Sequence, residues 1–337
     1  DDLAAVPVGD AILLVVLLLI ARSLVGAQLA FAIPGLGWLR GCVCSEGAAA
    51  ASNIIPGPSG TATRLVILNS WGYRVDDFAR SWLLTSSLTN LTVLAGPGVA
   101  AIVLAVEWNL GTTMLIIGLV GLVASVVGIV VVGAIMRSEA MARRCGRVGG
   151  RAVRWWNGFR HRSPSQQDFE AVTLKFRADI LQSWHERGGR ISAAVVGNYL
   201  VTGLILVLSV RAVGIDRSEI ALSGVIAVYT AVRLLTVVNI TPGGAGVTEA
   251  LYITGLVAAA PDVSQSTIVA AVLLFRGLTY IGPIILGGIS LLVWRLKGSW
   301  KASAPAEGAA VVAVGGALAG RQPADPDPAD PGPDAGS

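Results

Sequence analysis

Apolar residues run along this chain in long blocks, and polar residues cluster between them. Four blocks carry no charge: Ser81–Val106, Trp108–Met136, Ile191–Val210 and Gly277–Trp294. A helix needs about 20 apolar residues to cross a bilayer core, so each block predicts a span. Ala11–Pro34 and Glu219–Val238 predict two more, and they carry Arg22 and Arg233 inside the apolar run. The pattern predicts an all-α polytopic membrane protein with about six to eight transmembrane helices.

Two of the apolar stretches are interrupted by the same phrase. Asn53-Ile54-Ile55-Pro56-Gly57-Pro58-Ser59-Gly60 recurs as Asn239-Ile240-Thr241-Pro242-Gly243-Gly244-Ala245-Gly246, at an offset of 186 residues. The same offset aligns Leu65 with Leu251 and Ile67 with Ile253. Proline lacks an N–H and glycine costs backbone entropy, so the two together break a helix. Within a bilayer, broken backbone survives only where protein or a water-filled cavity satisfies it. Two Pro/Gly-broken or re-entrant helices in an internal repeat therefore point to a transport or lipid-handling core.

These signals divide the chain into four parts. Residues 1–136 form a first membrane half, broken at 53–60. Residues 137–190 form a basic loop, in which Phe169, Val172, Phe176 and Ile180 recur at helical spacing and predict an interfacial helix. Residues 191–297 form a second membrane half, broken at 239–249. Residues 298–337 are rich in Ala, Pro and Asp and are expected to be disordered. The chain opens on Asp1 rather than Met, which suggests a fragment or a processed product.

Composition agrees with a membrane protein. Hydrophobic residues make up 54% of the chain and charged residues 14%, with a mean hydropathy of +0.70. Net charge is +4, and the stretch Arg137–Arg190 alone holds 12 Lys/Arg against 5 Asp/Glu. By the positive-inside rule this loop is cytoplasmic and the protein is a multi-pass plasma-membrane protein. Trp155, Trp156, Phe159, Phe176 and Trp184 lie among its arginines, a mixture suited to an anionic membrane surface rather than to nucleic acid. If Val247–Ala260 crosses the membrane, Arg295, Lys297 and Lys301 fall on the same side as the loop, and the charge rule favours that crossing. Cys42, Cys44 and Cys145 show neither a disulfide framework nor metal-ligand spacing.

The apolar belt contains Arg22, Arg64, Arg233, Glu249 and Arg276. A charge at mid-bilayer costs about 2.5–3.5 kcal/mol even on the lenient insertion scale, so each must face the bundle interior, a partner or water. Glu249 starts the helix after Gly246, whose free N–H groups could hold a phosphate. The carboxylate would compete with such an anion, so it should pair with Arg276, Arg233 or a cationic headgroup. A purely stabilising buried ion pair is the plain alternative. Arg64 follows Gly60 and could either bind a lipid phosphate or snorkel to the interface. Asn53 and Asn239 could cap the breaks through hydrogen bonds to freed backbone groups. Gly57, Gly60, Gly243 and Gly246 supply the bends. His161 and His185 both fall in the loop, and the common hydrolase, metalloprotease and nucleotide-binding motifs are missing. No catalytic residue, metal or cofactor is expected.

Two phrases resemble a known family. Pro242-Gly243-Gly244-Ala245-Gly246-Val247-Thr248-Glu249 and Phe275-Arg276-Gly277-Leu278-Thr279-Tyr280 are similar to the lysylphosphatidylglycerol synthase transmembrane region, or flippase-like domain, family. There the second phrase opens the last span. Asn53, Pro56, Gly57, Gly60 and Arg64 match the first-half phrase, and the likeness covers roughly residues 10–297. The acidic residue that often follows that phrase's last glycine is Thr61 here. The resemblance implies a bacterial or archaeal polytopic protein, with some members fused to an aminoacyl-lipid synthase and others accompanying glycolipid or isoprenoid-lipid pathways. Only 43 residues follow Trp294, too few for the synthase domain, so this chain is not expected to make lysyl-lipid.

The expected function is translocation of an aminoacylated or glycosylated phospholipid or glycolipid between leaflets. Two other readings stay open. One is a membrane scaffold that docks a glycosyltransferase or lipid synthase through the basic loop. The other is a lipid-modifying transferase dependent on Glu249.

Overall fold

The computed structural model describes residues 6–107, 169–236 and 244–300, together with Val123, Val127 and Val130. The predicted span Trp108–Met136, most of the loop 137–190 and the tail from residue 301 lie outside the described residues. The described residues fold as helices without strands: α1 (Val8–Ala32), α2 (Trp38–Ile54), α3 (Ser59–Ser70), α4 (Val75–Glu107), α5 (Phe169–Ala212), α6 (Leu222–Leu235), α7 (Val247–Ala259), α8 (Gln265–Arg276) and α9 (Gly282–Leu296). A π turn, Gly277–Ile281, joins α8 to α9. Three helical segments are long and apolar enough to cross a membrane: Val8–Ala32, Trp184–Ala212 and Gln265–Leu296. The protein is an all-α polytopic membrane protein.

Helix α1 is apolar around most of its circumference; Arg22 and Gln28 mark an inner face, and the apolar residues themselves choose none. Packing makes that choice: Leu14, Leu18 and Ala21 are buried, whereas Ile12, Val15, Val16 and Leu19 stay exposed on the lipid-facing side. The Gly/Ala-rich stretch after it forms α2, which is enclosed, with Val43–Ala48 buried as an unbroken run. Small residues allow this. A Cβ at Gly41 would strike the Gly26 carbonyl of α1, and one at Gly287 would strike the Glu46 carbonyl of α2. Backbones approach closely at such small-residue crossings, and dispersion contacts hold them where no hydrophobic effect operates between helices.

The repeat extends well beyond the two breaks. At the offset of 186, α2 overlaps α6, α3 overlaps α7, and α4 overlaps the run from α8 to α9; Gly96-Pro97 inside α4 falls on Gly282-Pro283. Packing respects the correspondence but exchanges the closing helices: α9 lies along α2 and α4 lies along α6. Helix α1 packs along its counterpart α5. The helices that follow the breaks are short, with 12 residues in α3 and 13 in α7. At 1.5 Å per residue each is about 20 Å long, less than the roughly 30 Å hydrocarbon core.

Three sequence boundaries shift. Phe169–Ala212 is one 44-residue helix, so the stretch read as interfacial runs without a break into the following span. The helix in the span expected over Glu219–Val238 begins at Leu222, and Arg211 ties the preceding turn by donating to the carbonyls of Ile215 at 2.9 Å and Ile220 at 2.8 Å. The last membrane helix begins at Gln265 rather than Gly277. Arg276 therefore lies inside that helix, not at its opening, and it is tolerated there because it is ion-paired.

Candidate functional site

The two halves enclose a cavity of about 390 Å³, within the size range of small-molecule sites. Three arginines line it: Arg22 from α1, Arg233 from α6 and Arg276 from α8. Asn53, Asn90 and Asn198 add amides, and Ser52, Thr89, Thr202, Thr236, Thr248 and Thr279 add hydroxyls. Leu18, Val93, Ile205, Tyr252 and Phe275 supply its apolar walls. On α5 the cavity face is the helical stripe Asn198, Thr202 and Ile205, at spacings of four and three. Such a polar chamber inside an apolar bundle must be filled by water or by a polar ligand.

Each of two arginines is held by a carboxylate behind the cavity wall. Arg22 Nε donates to Glu46 Oε1 at 2.9 Å and to Oε2 at 3.0 Å, and the Glu46 side chain is only 7% exposed. Arg276 Nε donates to Glu249 Oε1 at 2.6 Å. The other oxygen, Glu249 Oε2, accepts the Gly246 N–H at 2.7 Å, the returning half of a capping box; glycine has no side chain to supply the other half. Gly246 sits at φ +83°, a left-handed backbone that glycine adopts without a Cβ clash. One carboxylate thus caps the helix after the second break and also fixes Arg276. Arg233 differs from both: its Nε is buried without a hydrogen-bond partner.

The first break is tied to the same place. Asn53 Nδ2 donates to the Tyr280 carbonyl at 3.2 Å, and the Tyr280 hydroxyl donates to the Asn53 carbonyl at 3.0 Å. Tyr280 belongs to the π turn, and its ring lies 5.1 Å from the Arg276 guanidinium carbon, within cation–π range. Pro283 lacks the N–H that would have bonded one turn back, which favours a widened turn here.

The family model for the lysylphosphatidylglycerol synthase TM region matches residues 3–287. The chain belongs to that family. Neither the curated proteins nor the solved structures contain a match to it. Both phrases that carried the resemblance, Pro242–Glu249 and Phe275–Tyr280, fall within the span matched by the lysylphosphatidylglycerol synthase TM region. The described part of the first and the whole of the second meet at the Glu249–Arg276 pair.

Of the residues singled out by sequence, Arg22, Arg233, Arg276 and Asn53 line the cavity, and Glu249 and Gly246 lie directly behind Arg276. Asn239 and Gly243 lie outside the described residues. Arg64 is not among the lining residues; its Nε is buried without a partner on α3. Gly57 makes the bend at φ +86°, and Gly60 lets α3 approach α2, because a Cβ there would sit 2.7 Å from the Ala48 carbonyl oxygen. The helix start after Gly246 is filled by its own Glu249 rather than left open to an anion.

Sequence reasoning missed Glu46 and the stripe on α5. Glu46 did carry a signal, as the lone acid in the apolar stretch from Gly41 to Thr63. The cavity roles of Asn90, Asn198 and Thr202 carried none, because such residues are common in membrane helices and only packing shows which face inward.

Proposed function

We propose that this membrane protein moves a phospholipid or glycolipid between leaflets by receiving its polar headgroup in the central cavity while the acyl chains stay in lipid. The observation that carries this reading is the cavity itself: three arginines and a set of amides and hydroxyls enclosed within helices whose outer faces are apolar. An ionised headgroup pays a prohibitive desolvation penalty in bare hydrocarbon, and a hydrated polar chamber lowers that barrier. Two short helices follow the breaks, and broken helices of this kind line midplane sites in transporters.

Arg276 is the natural switch. Before lipid arrives, Glu249 clamps it; a phosphate in the cavity competes with that carboxylate for the guanidinium. Arg22 and Arg233 would share the phosphate charge. The setting would be the plasma membrane, with the basic segment 137–190 on the cytoplasmic side against anionic lipid. A glycosyltransferase or lipid synthase would supply the substrate.

Leaflet exchange in liposomes tests the reading. The purified chain should accelerate exchange of a fluorescent glycerophospholipid, and Glu249→Gln should slow it by tenfold or more. Exchange no faster than in protein-free liposomes, across phospholipids and glycolipids, would overturn translocation.

A further inference from the structure

The charges around the cavity are distributed asymmetrically, and this selects among headgroups. Its described lining includes three arginines and no carboxylate. Glu46 and Glu249 are the acids nearby, and each is already engaged by an arginine from behind the wall. Of the three lining arginines, only Arg233 has no ion-pair partner among the described residues, and its Nε lacks any hydrogen bond. A guanidinium held inside a bundle without a counter-ion calls for an anion.

The hydroxyls constrain the ligand further. Thr202 donates to the Asn198 carbonyl at 2.7 Å, Thr236 to the Val232 carbonyl at 2.8 Å and Thr279 to the Phe275 carbonyl at 2.8 Å. Each has spent its proton on its own helix, so its oxygen faces the cavity only as an acceptor. The side-chain amides of Asn90 and Asn198 make no hydrogen bond within the described residues and offer both donors and acceptors. Guanidinium donors suit a phosphate, and hydroxyl acceptors suit ligand donors, of which neutral O–H groups add no charge beside the arginines.

Resting on the reading of the cavity as a headgroup site, we infer that it selects an anionic phosphodiester headgroup bearing free hydroxyls and no ammonium group. An aminoacylated headgroup such as lysyl-phosphatidylglycerol would add its cations to a lining that already holds one guanidinium more than the carboxylates behind it can neutralise. A chamber walled by protein and lipid screens that repulsion less than bulk water does.

Binding separates this inference from translocation. The full chain in nanodiscs is titrated with phosphatidylinositol, with lysyl-phosphatidylglycerol and with glycerol 3-phosphate as a soluble source of the same chemistry. Phosphatidylinositol should bind at least about tenfold more tightly than the lysyl lipid, and Arg233→Gln should remove about tenfold of that affinity. Arg217→Gln, on the exposed turn before α6, should remove none. Equal or tighter binding of the lysyl lipid overturns the inference, as does wild-type affinity in Arg233→Gln, or binding of glycerol 3-phosphate without either lipid. The wild-type preference needs no variant, so the test survives if Arg233→Gln does not fold. Selective binding without leaflet exchange would sink translocation and leave the headgroup assignment standing.

Discussion

The two halves repeat the same backbone and place their charges differently. Each has a Pro/Gly break followed by a short helix, and each closes with a long helix carrying Gly-Pro at the matching position. In the second half the carboxylate sits on the break, where Glu249 caps α7 and holds Arg276. In the first half no acid follows the break, and Ser59 there donates to the carbonyls of Ala51 and Ile55. The ion pair of that half is Arg22–Glu46, between α1 and α2. A repeat thus conserves the device that opens the bundle while leaving each half free to place its own charges.

The difference between the two pairs in burial should be measurable as stability. Glu46 is 7% exposed, whereas Glu249 is 23% exposed. Glu46→Gln strands the Arg22 charge and should cost about 3–5 kcal/mol, read as a lower thermal midpoint in detergent. Adding Arg22→Met should recover much of the loss; a double variant as unstable as the single one would show that the cost is not an orphaned charge. Glu249→Gln should cost less, about 1–3 kcal/mol, yet have the larger effect on leaflet exchange. A reversed order in either readout would break the assignment of one pair to stability and the other to function.

Backbone changes should treat the halves alike. Gly57 of the first break and Gly246 of the second, whose repeat counterpart is Gly60, sit at φ +86° and +83°, so alanine at either should cost about 1–2 kcal/mol. A clear inequality between the two melting shifts would mean that one left-handed turn carries more of the fold than the other. The smallest effect is expected at the link between halves. Tyr280→Phe removes one hydrogen bond to the Asn53 carbonyl, worth about 0.5–1.5 kcal/mol, and leaves the ring over Arg276. Its midpoint should fall slightly, and a shift as large as that of Glu249→Gln would give the link a greater part than the ion pair.

Much of this architecture was legible in the order of residues. Long charge-free runs announce helices in lipid because an unpaired backbone group or a bare charge is too costly there. The doubled phrase announces two breaks because proline and glycine act locally, wherever the chain folds. The pairing of Glu249 with Arg276 was open to reasoning since few ionisable groups share the belt. Asn53 was read as a helper of freed backbone, and it does bond a carbonyl, though that of Tyr280 on a distant helix.

What sequence determined by itself was the class of the fold, the places where helices fail and the small set of charges that must find partners, since each follows from local chemistry and the solvent. Tertiary structure alone decided that Arg22 meets Glu46, that Arg64 stays outside the cavity while Arg233 lines it unpaired, and that α4 and α9 exchange halves. The apolar residues of α1 look alike from every side, so the close crossings at Gly26 and Gly41 fix its contact with α2, as Gly287 fixes α9 on α2. That choice, made by shape rather than by hydrophobicity, gathers scattered arginines, amides and hydroxyls around one cavity.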